Sequence, residues 1–197
     1  MIAADAMEPY GIEPAARAPL VRWLELLASW NQRIDLTAAR SDAELADLML
    51  ADAALLARHI DRGARVVDVG TGAGAPGLAL ALMRPDLALT LVEPLAKRAS
   101  FLRTVVGTVA RADVAILRER GDAVAKARPR GFDVAISRAT LPPPEWIPLG
   151  LRLAPAAWAL VAREAPPEIA GARVDADVAY TWPATGAERR ALRYAST

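Results

Sequence analysis

The sequence predicts an α/β chain, a doubly wound parallel sheet preceded by a helical cap. Three observations carry that prediction. Short β-branched runs alternate with helix-spaced segments from Arg65 to Ala162, the pattern that builds a parallel sheet covered on both faces. Upstream of Arg65 there is helical periodicity and no strand pattern. Finally, the run Val66–Val69 passes through Asp68 into Gly70-Thr71-Gly72-Ala73-Gly74-Ala75-Pro76-Gly77, a glycine-rich turn joining a strand to a helix.

The elements follow in order. Residues 1–15 hold Pro9, Gly11 and Pro14 and predict no long helix. From Ala18 to Asn31, Leu20, Trp23, Leu24, Leu27 and Trp30 recur at helical spacing. Asn31–Thr37 reads as a polar connection. A second helix is expected from Asp42 to about His59, with Ser41 as N-cap and Glu44 completing a capping box. His59, the only histidine, falls near that helix's end, where it can cap carbonyls. Strands are expected at Val66–Val69, Leu87–Val92, Val114–Leu117, Phe132–Ile136 and Trp158–Ala162. Helices are expected at Gly77–Met83, at Ala96–Val109 and, briefly, after Pro142-Pro143-Pro144. Val174–Trp182 and Ala191–Tyr194 predict antiparallel strands at the sheet's edge. The division is a helical cap over 1–63 and a sheet core over 64–197, packed as one compact unit.

Composition narrows the function. At 54% hydrophobic and 24% charged residues, the chain can bury a globular core. A net charge of +1 gives no basic-tail argument for nucleic acid. Positive charge is nearly all arginine, since Lys97 and Lys126 are the only lysines. Arginine suits phosphate and base stacking, although a GC-rich genome gives the same bias. No cysteine is present, which excludes disulfides, thiolate metal sites and cysteine nucleophiles. With a single histidine, no metal site is expected. No apolar run is long enough to span a bilayer, and no signal-peptide pattern opens the chain. A cytoplasmic protein with no membrane partner is expected.

The glycine turn cradles a nucleotide, and two cofactors compete for it. Gly72-Ala73-Gly74-Ala75-Pro76-Gly77 matches the dinucleotide G-x-G-x-x-G, with Glu93 at a spacing suited to a ribose. Asp68-Val69-Gly70-Thr71-Gly72-Ala73-Gly74 equally matches the acid-x-G-x-G-x-G turn of enzymes that use S-adenosylmethionine. Asp68 favours the second. A carboxylate there would repel a pyrophosphate, yet it can organise the turn and face a cation. S-adenosylmethionine carries a sulfonium and an amino group and no phosphate. Glu93 would then hold the ribose hydroxyls. The alternative, that Asp68 only caps turn amides and the glycines only shape the turn, would suit a single glycine but not the whole strand–acid–glycine–helix unit with Glu93 at the next strand end.

These residues resemble the RsmG, or GidB, family of small-subunit ribosomal RNA guanine-N7 methyltransferases. The resemblance rests on Asp68 through Gly77 with its Pro76-Gly77 ending, Thr90-Leu-Val-Glu-Pro94, Lys97-Arg98, Phe101-Leu102-Arg103 and Phe132 through Ala139. Trp30-Asn31, Leu36-Thr37 and Leu153-Ala154-Pro155 add to it. It implies a Rossmann-like methyltransferase sheet with S-adenosylmethionine as cofactor. Asp68, Gly70, Gly72, Gly74, Ala75, Glu93, Gly121, Asp122 and Arg138 would line the cofactor site. Arg138 would touch cofactor or substrate, its alternative being an ion pair with a neighbour such as Asp133. The chain departs from the family pattern at Asp35, at Met49 and Ala53, at Asp122 and at Arg163-Glu164. The matches are thus densest around the cofactor and sparser towards RNA. A diverged relative with another acceptor, or a non-catalytic one, is the alternative.

The resemblance implies 16S rRNA or the 30S subunit as partner and a monomeric enzyme. Guanine N7 has an outward lone pair and no proton, so its methylation needs no general base. The product is cationic, and Asp52, Asp35 or Arg138 are the candidate residues around it. Trp30 or Trp146 could stack on the base, although packing roles suit both better.

Overall fold

The computed structural model describes residues 4–197, so the expectation for residues 1–3 lies outside it. A 3-10 helix at Ala4–Tyr10 leads into α1 (Pro14–Asn31), which starts four residues earlier than the apolar spacing predicts because Pro14 occupies its first turn. Asn31 then knots the polar connection. Its side-chain oxygen accepts from Leu36 N and Thr37 N at 2.8 and 3.0 Å, and its amide donates to Thr37 O.

The second predicted helix is three pieces: α2 (Asp42–Ala46), a π turn (Asp47–Ala51) and α3 (Asp52–Leu56). Ser41 Oγ accepts from Glu44 N at 3.2 Å, while the Glu44 carboxylate reaches back to Arg40 N at 2.7 Å, one residue beyond the usual capping box. The π turn matters for direction. In an α-helix, residues five apart point about 140° from one another. An i→i+5 turn brings them towards one face, here Asp47 and Asp52, both buried. His59 closes this region, with Nδ1 2.9 Å from Leu55 O.

The sheet begins at β1 (Arg65–Val69), followed by α4 (Gly77–Met83), β2 (Ala88–Val92), α5 (Ala96–Thr108), β3 (Ala115–Leu117), α6 (Gly121–Ala127), β4 (Val134–Arg138), α7 (Pro143–Leu153) and β5 (Ala156–Val161). The chain then folds back as an edge hairpin, β6 (Ala172–Thr181) and β7 (Glu188–Ser196). The strand order is β3-β2-β1-β4-β5-β7-β6. Strands β1 to β5 pair in parallel, and β7 pairs antiparallel with both β5 and β6. Two apolar clusters cover the faces. One joins α1, α3, α4 and α5 to the sheet through Trp23, Leu56, Leu78 and Phe101, and the other packs Trp146 and Ile147 of α7 with Val124 of α6. Among the described residues, no helix is long and apolar enough to cross a membrane.

Candidate functional site

Strand order reverses direction between β1 and β4, and their carboxyl ends diverge there, which is where doubly wound sheets hold ligands. The glycine turn lies at that switch. Gly70 N and Thr71 N both donate to Val92 O, at 2.8 and 3.2 Å, latching the turn to the end of β2. Trp23 holds its other side. This fully buried indole of α1 donates from Nε1 to Ala73 O at 3.1 Å.

The glycines divide by role. At Gly72, φ +60°, an added Cβ would meet nothing nearer than Gly70 O at 4.0 Å, so open space begins there. At Gly74 the same atom would strike Leu78 Cβ at 2.8 Å, and at Gly77 the Asp68 carboxylate at 2.6 Å. At Gly70 it would meet the Thr140 side chain at 2.2 Å. Gly74 and Ala75, expected against the cofactor, are buried in the turn, Ala75 at 6% exposure. The missing Cβ of Gly74 lets the turn lie against Leu78 of α4 and Leu102 of α5.

Asp68 is fully buried at the end of β1. Its Oδ2 accepts from Gly77 N at 2.8 Å, at the start of α4, while Oδ1 makes no hydrogen bond, nor does the buried Thr71 Oγ1. Burial pushes the Asp68 carboxyl up from 3.8 to about 6, against the pull of the nearby Thr71 hydroxyl, the Gly77 N–H and Arg138. The folded protein therefore holds a proton that the unfolded chain has released between those two values. This contribution to stability is full below 3.8 and is lost as pH rises through about 6. It amounts to about 3 kcal/mol. Asp68→Asn keeps an acceptor for Gly77 N and cannot titrate. Urea melts of the variant should lose the decline in stability between pH 4 and 6.5 (about the interval between the two values). A decline that persists would assign it to another group.

Glu93, 2% exposed at the exit of β2, accepts from Gly72 N at 3.0 Å and from Leu95 N at 2.9 Å. One oxygen thus holds the tip of the turn, and the second holds the loop carrying Leu95, an apolar side chain left 54% exposed. Gly121 opens α6 against Val69, where a Cβ would lie 2.6 Å from Val69 Cγ1. Asp122 is exposed and pairs with Arg120 at 3.1 Å, which holds its carboxyl below the usual range.

Arg138 reaches from β4 into the helical cap. Nη1 donates to Leu48 O and pairs with Asp52 at 3.1 Å. Asp133, the partner considered from sequence, is bound instead by Arg65 at 2.7 Å. Asp52 also accepts from Tyr180 Oη at 2.6 Å and from Trp182 Nε1 at 2.9 Å. Three donors converge on a carboxylate that is 2% exposed. This corrects the expectation that Asp52 faces a developing cation, because its oxygens tie α3 to β4 and β6. Burial and this carboxylate push the Tyr180 phenol upward, so it stays a donor. Asp47 acts likewise at the start of the π turn, accepting from Tyr10 Oη, Thr185 N and Thr185 Oγ1 at 2.7–2.8 Å.

The other predicted residues are placed as follows. Asp35 is exposed, and its carbonyl accepts from Arg98 at 3.3 Å. Trp146 is buried and donates to Trp158 O at 2.9 Å, whereas Trp30 packs on Phe101 with ring centroids 5.6 Å apart. Met49 and Ala53 are interior to the cap. Arg163 is exposed and pairs with Glu188 at 2.9 Å. Sequence reasoning missed Trp23, Asp47, Tyr180 and Trp182. The only signals were two acids inside an apolar helix and a tryptophan on its buried stripe.

A cleft of about 480 Å³ opens past the end of β4, lined by Ser137, Thr140, Leu141, Trp146, Ala159 and Leu160 among others. Thr140 forms its wall towards the glycine turn, with Oγ1 donating to Val69 O at 3.1 Å. A smaller cleft of about 270 Å³ adjoins it through Ala139 and Leu160 and holds Arg138, Tyr180, Trp182 and Arg189.

Comparison with known proteins agrees with this geometry. Residues 17–154 match the family model GidB, rRNA small subunit methyltransferase G. A ribosomal RNA small subunit methyltransferase G of Anaeromyxobacter dehalogenans (strain 2CP-C) is 37% identical over 72% of this chain and 66% of its own. Another, from Anaeromyxobacter sp. (strain Fw109-5), is 36% identical over 78% of this chain and 73% of its own. The chain thus spans about two thirds of the length of such relatives. Among solved structures, a mutant of MtNAS in complex with S-adenosylmethionine superposes with TM-score 0.59 at 16% identity, over 92% of this chain and 72% of that one. TrmN from Thermus thermophilus gives 0.58 at 18%, over 85% and 53%. These likenesses show a common fold.

Proposed function

We propose, from the premise that this chain belongs to the GidB family, rRNA small subunit methyltransferase G, that it methylates N7 of a guanine in 16S rRNA with S-adenosylmethionine as donor. The observation that carries the reading is the turn itself. Gly72 faces open space between two buried carboxylates, Asp68 and Glu93, and Asp68 Oδ1 and Thr71 Oγ1 lack partners. These residues fit a cofactor that carries positive charge and needs close backbone approach, and they suit a pyrophosphate poorly.

When bound, the cofactor supplies an electrophilic methyl on a sulfonium. Guanine N7 would form the new N–C bond as the S–C bond broke, the electron pair would leave with sulfur, and no proton would have to move. The chain's work is therefore placement, which can lower a barrier by roughly 7–11 kcal/mol in good cases. Gly72 would admit the cofactor, Glu93 holds the turn's tip and would offer its remaining lone pairs to ribose hydroxyls, and the exposed Leu95 offers an apolar surface beside it. Thr140 forms the wall between the glycine turn and the cleft past β4, and Arg138, fixed by Asp52, lines the adjoining cleft. The base enters unstacked or from an exposed RNA loop, through the cleft past β4. Cap and core act as one unit, in a cytoplasmic monomer.

The test is transfer of label from S-adenosylmethionine to 16S rRNA and to 30S particles, with the mass shift mapped to one guanine. Calorimetric titration with S-adenosylmethionine and with NAD accompanies it. Labelled guanine is the expected result. Cofactor binding with transfer to neither RNA would point to another acceptor or to a non-catalytic relative, and binding of NAD alone would overturn the cofactor as well.

A further inference from the structure

The tip of the edge hairpin, residues 182–187, lies at the same edge of the sheet as the glycine turn. β5 runs parallel to β1 and ends at Val161, and β7 starts opposite it, with Arg190 paired to Val161 and Arg189 paired to Tyr180. Directly opposed residues share a face, so Arg189 stands on the face where Tyr180 meets Asp52 of the cap.

The Arg189 guanidinium carbon sits 3.9 Å from the centroid of the Trp182 ring. Trp182 is itself fixed, buried to 6% exposure with its Nε1 on Asp52. The cations around it are committed: Arg138 to Asp52, Arg163 to Glu188 and Arg190 to Asp177. Among the described residues Arg189 joins no ion pair, and its Nη1 donates only a long bond, 3.4 Å, to the neighbouring Glu188 carbonyl. It lines the cleft of about 270 Å³ with Arg138, Tyr180 and Trp182, and it lines two further clefts on the other side of Ala162.

We propose that Arg189, held over the Trp182 ring, is an RNA-phosphate subsite that receives the backbone beside the target nucleotide. The proposal rests on the reading of the chain as an rRNA methyltransferase. An indole against a guanidinium holds the cation in place while its other N–H groups stay available for two-pronged binding of a phosphate. An unpaired cation needs no carboxylate displaced before RNA binds. Its position between clefts at the carboxyl edge puts a phosphate there while the base enters past β4. The near-neutral net charge of +1 makes such a local cation count, because no general basic field competes with it.

The experiment measures affinity for a 16S rRNA fragment against salt for the parent, Arg189→Gln and Arg189→Lys, with S-adenosylmethionine affinity and thermal melts on the same samples. For Arg189→Gln the slope of log K against log salt should fall by about 0.7 for a single-stranded contact. Arg189→Lys should restore the slope and only a fraction of the affinity, since lysine keeps the charge and loses the fork. Cofactor affinity and melting temperature should match the parent. An unchanged slope in Arg189→Gln, or no RNA affinity in the parent, overturns the subsite. Failure of methyl transfer alone, with an Arg189-dependent slope, overturns the proposed reaction and leaves the subsite standing.

Discussion

Gly72→Asp weakens S-adenosylmethionine binding at least a hundredfold, about 2.7 kcal/mol, and leaves the fold in place. The backbone at Gly72 is left-handed, and space for a side chain is open. Aspartate tolerates that conformation better than most residues, at a cost of about 1–2 kcal/mol. Melting should drop by only a few degrees, since about 2–4 °C accompanies each kcal/mol at this chain length. The added carboxylate projects into the volume the cofactor would fill, beside Glu93, whose oxygen holds Gly72 N at 3.0 Å. Gly72→Ala carries the backbone cost with one methyl group and should fall between. Calorimetry with thermal melts on both variants checks this, and full affinity in Gly72→Asp would mean the cofactor lies elsewhere.

Asp52→Ala destabilises the protein by about 3–5 kcal/mol, read as a lower urea midpoint with the slope retained. The substitution strands the Arg138 guanidinium, whose side chain is 19% exposed, and leaves the Tyr180 hydroxyl and Trp182 Nε1 without their acceptor. Each buried donor left unmade carries its desolvation cost. Asp52→Asn retains an acceptor of the same shape and should lose less. A parental midpoint in Asp52→Ala would mean the carboxylate is not structural, which would return it to the residues that face the substrate.

The two variants mark what could be read in the sequence. Gly72, Ser41, His59 and the alternating strands were legible because each is a local pattern: a turn, a cap or a period of two or 3.6 residues. The edge hairpin was legible as two strands, but not its purpose. Asp47 and Asp52 read as acids in an apolar helix because their partners, Thr185, Tyr180 and Trp182, lie 128–138 residues away. The π turn hid the common direction of these acids, since a straight helix would have pointed them apart. Helix α6, Gly121–Ala127, escaped notice because its apolar positions are alanines apart from Val124, which gives no marked stripe.

Trp182 and Thr185 also set an order of events. A chain made from its amino end onward completes Asp47 and Asp52 more than a hundred residues before Trp182 and Thr185, the last of the donors that offset their burial. Until the hairpin exists, each carboxylate lacks most of its hydrogen-bond donors, which disfavours sinking the helix that carries them into the sheet. Closing loops of that length is slow relative to local pairing. The cap helices, synthesised early, are therefore among the last to be secured, and the growing chain must wait for its hairpin before its cap can hold.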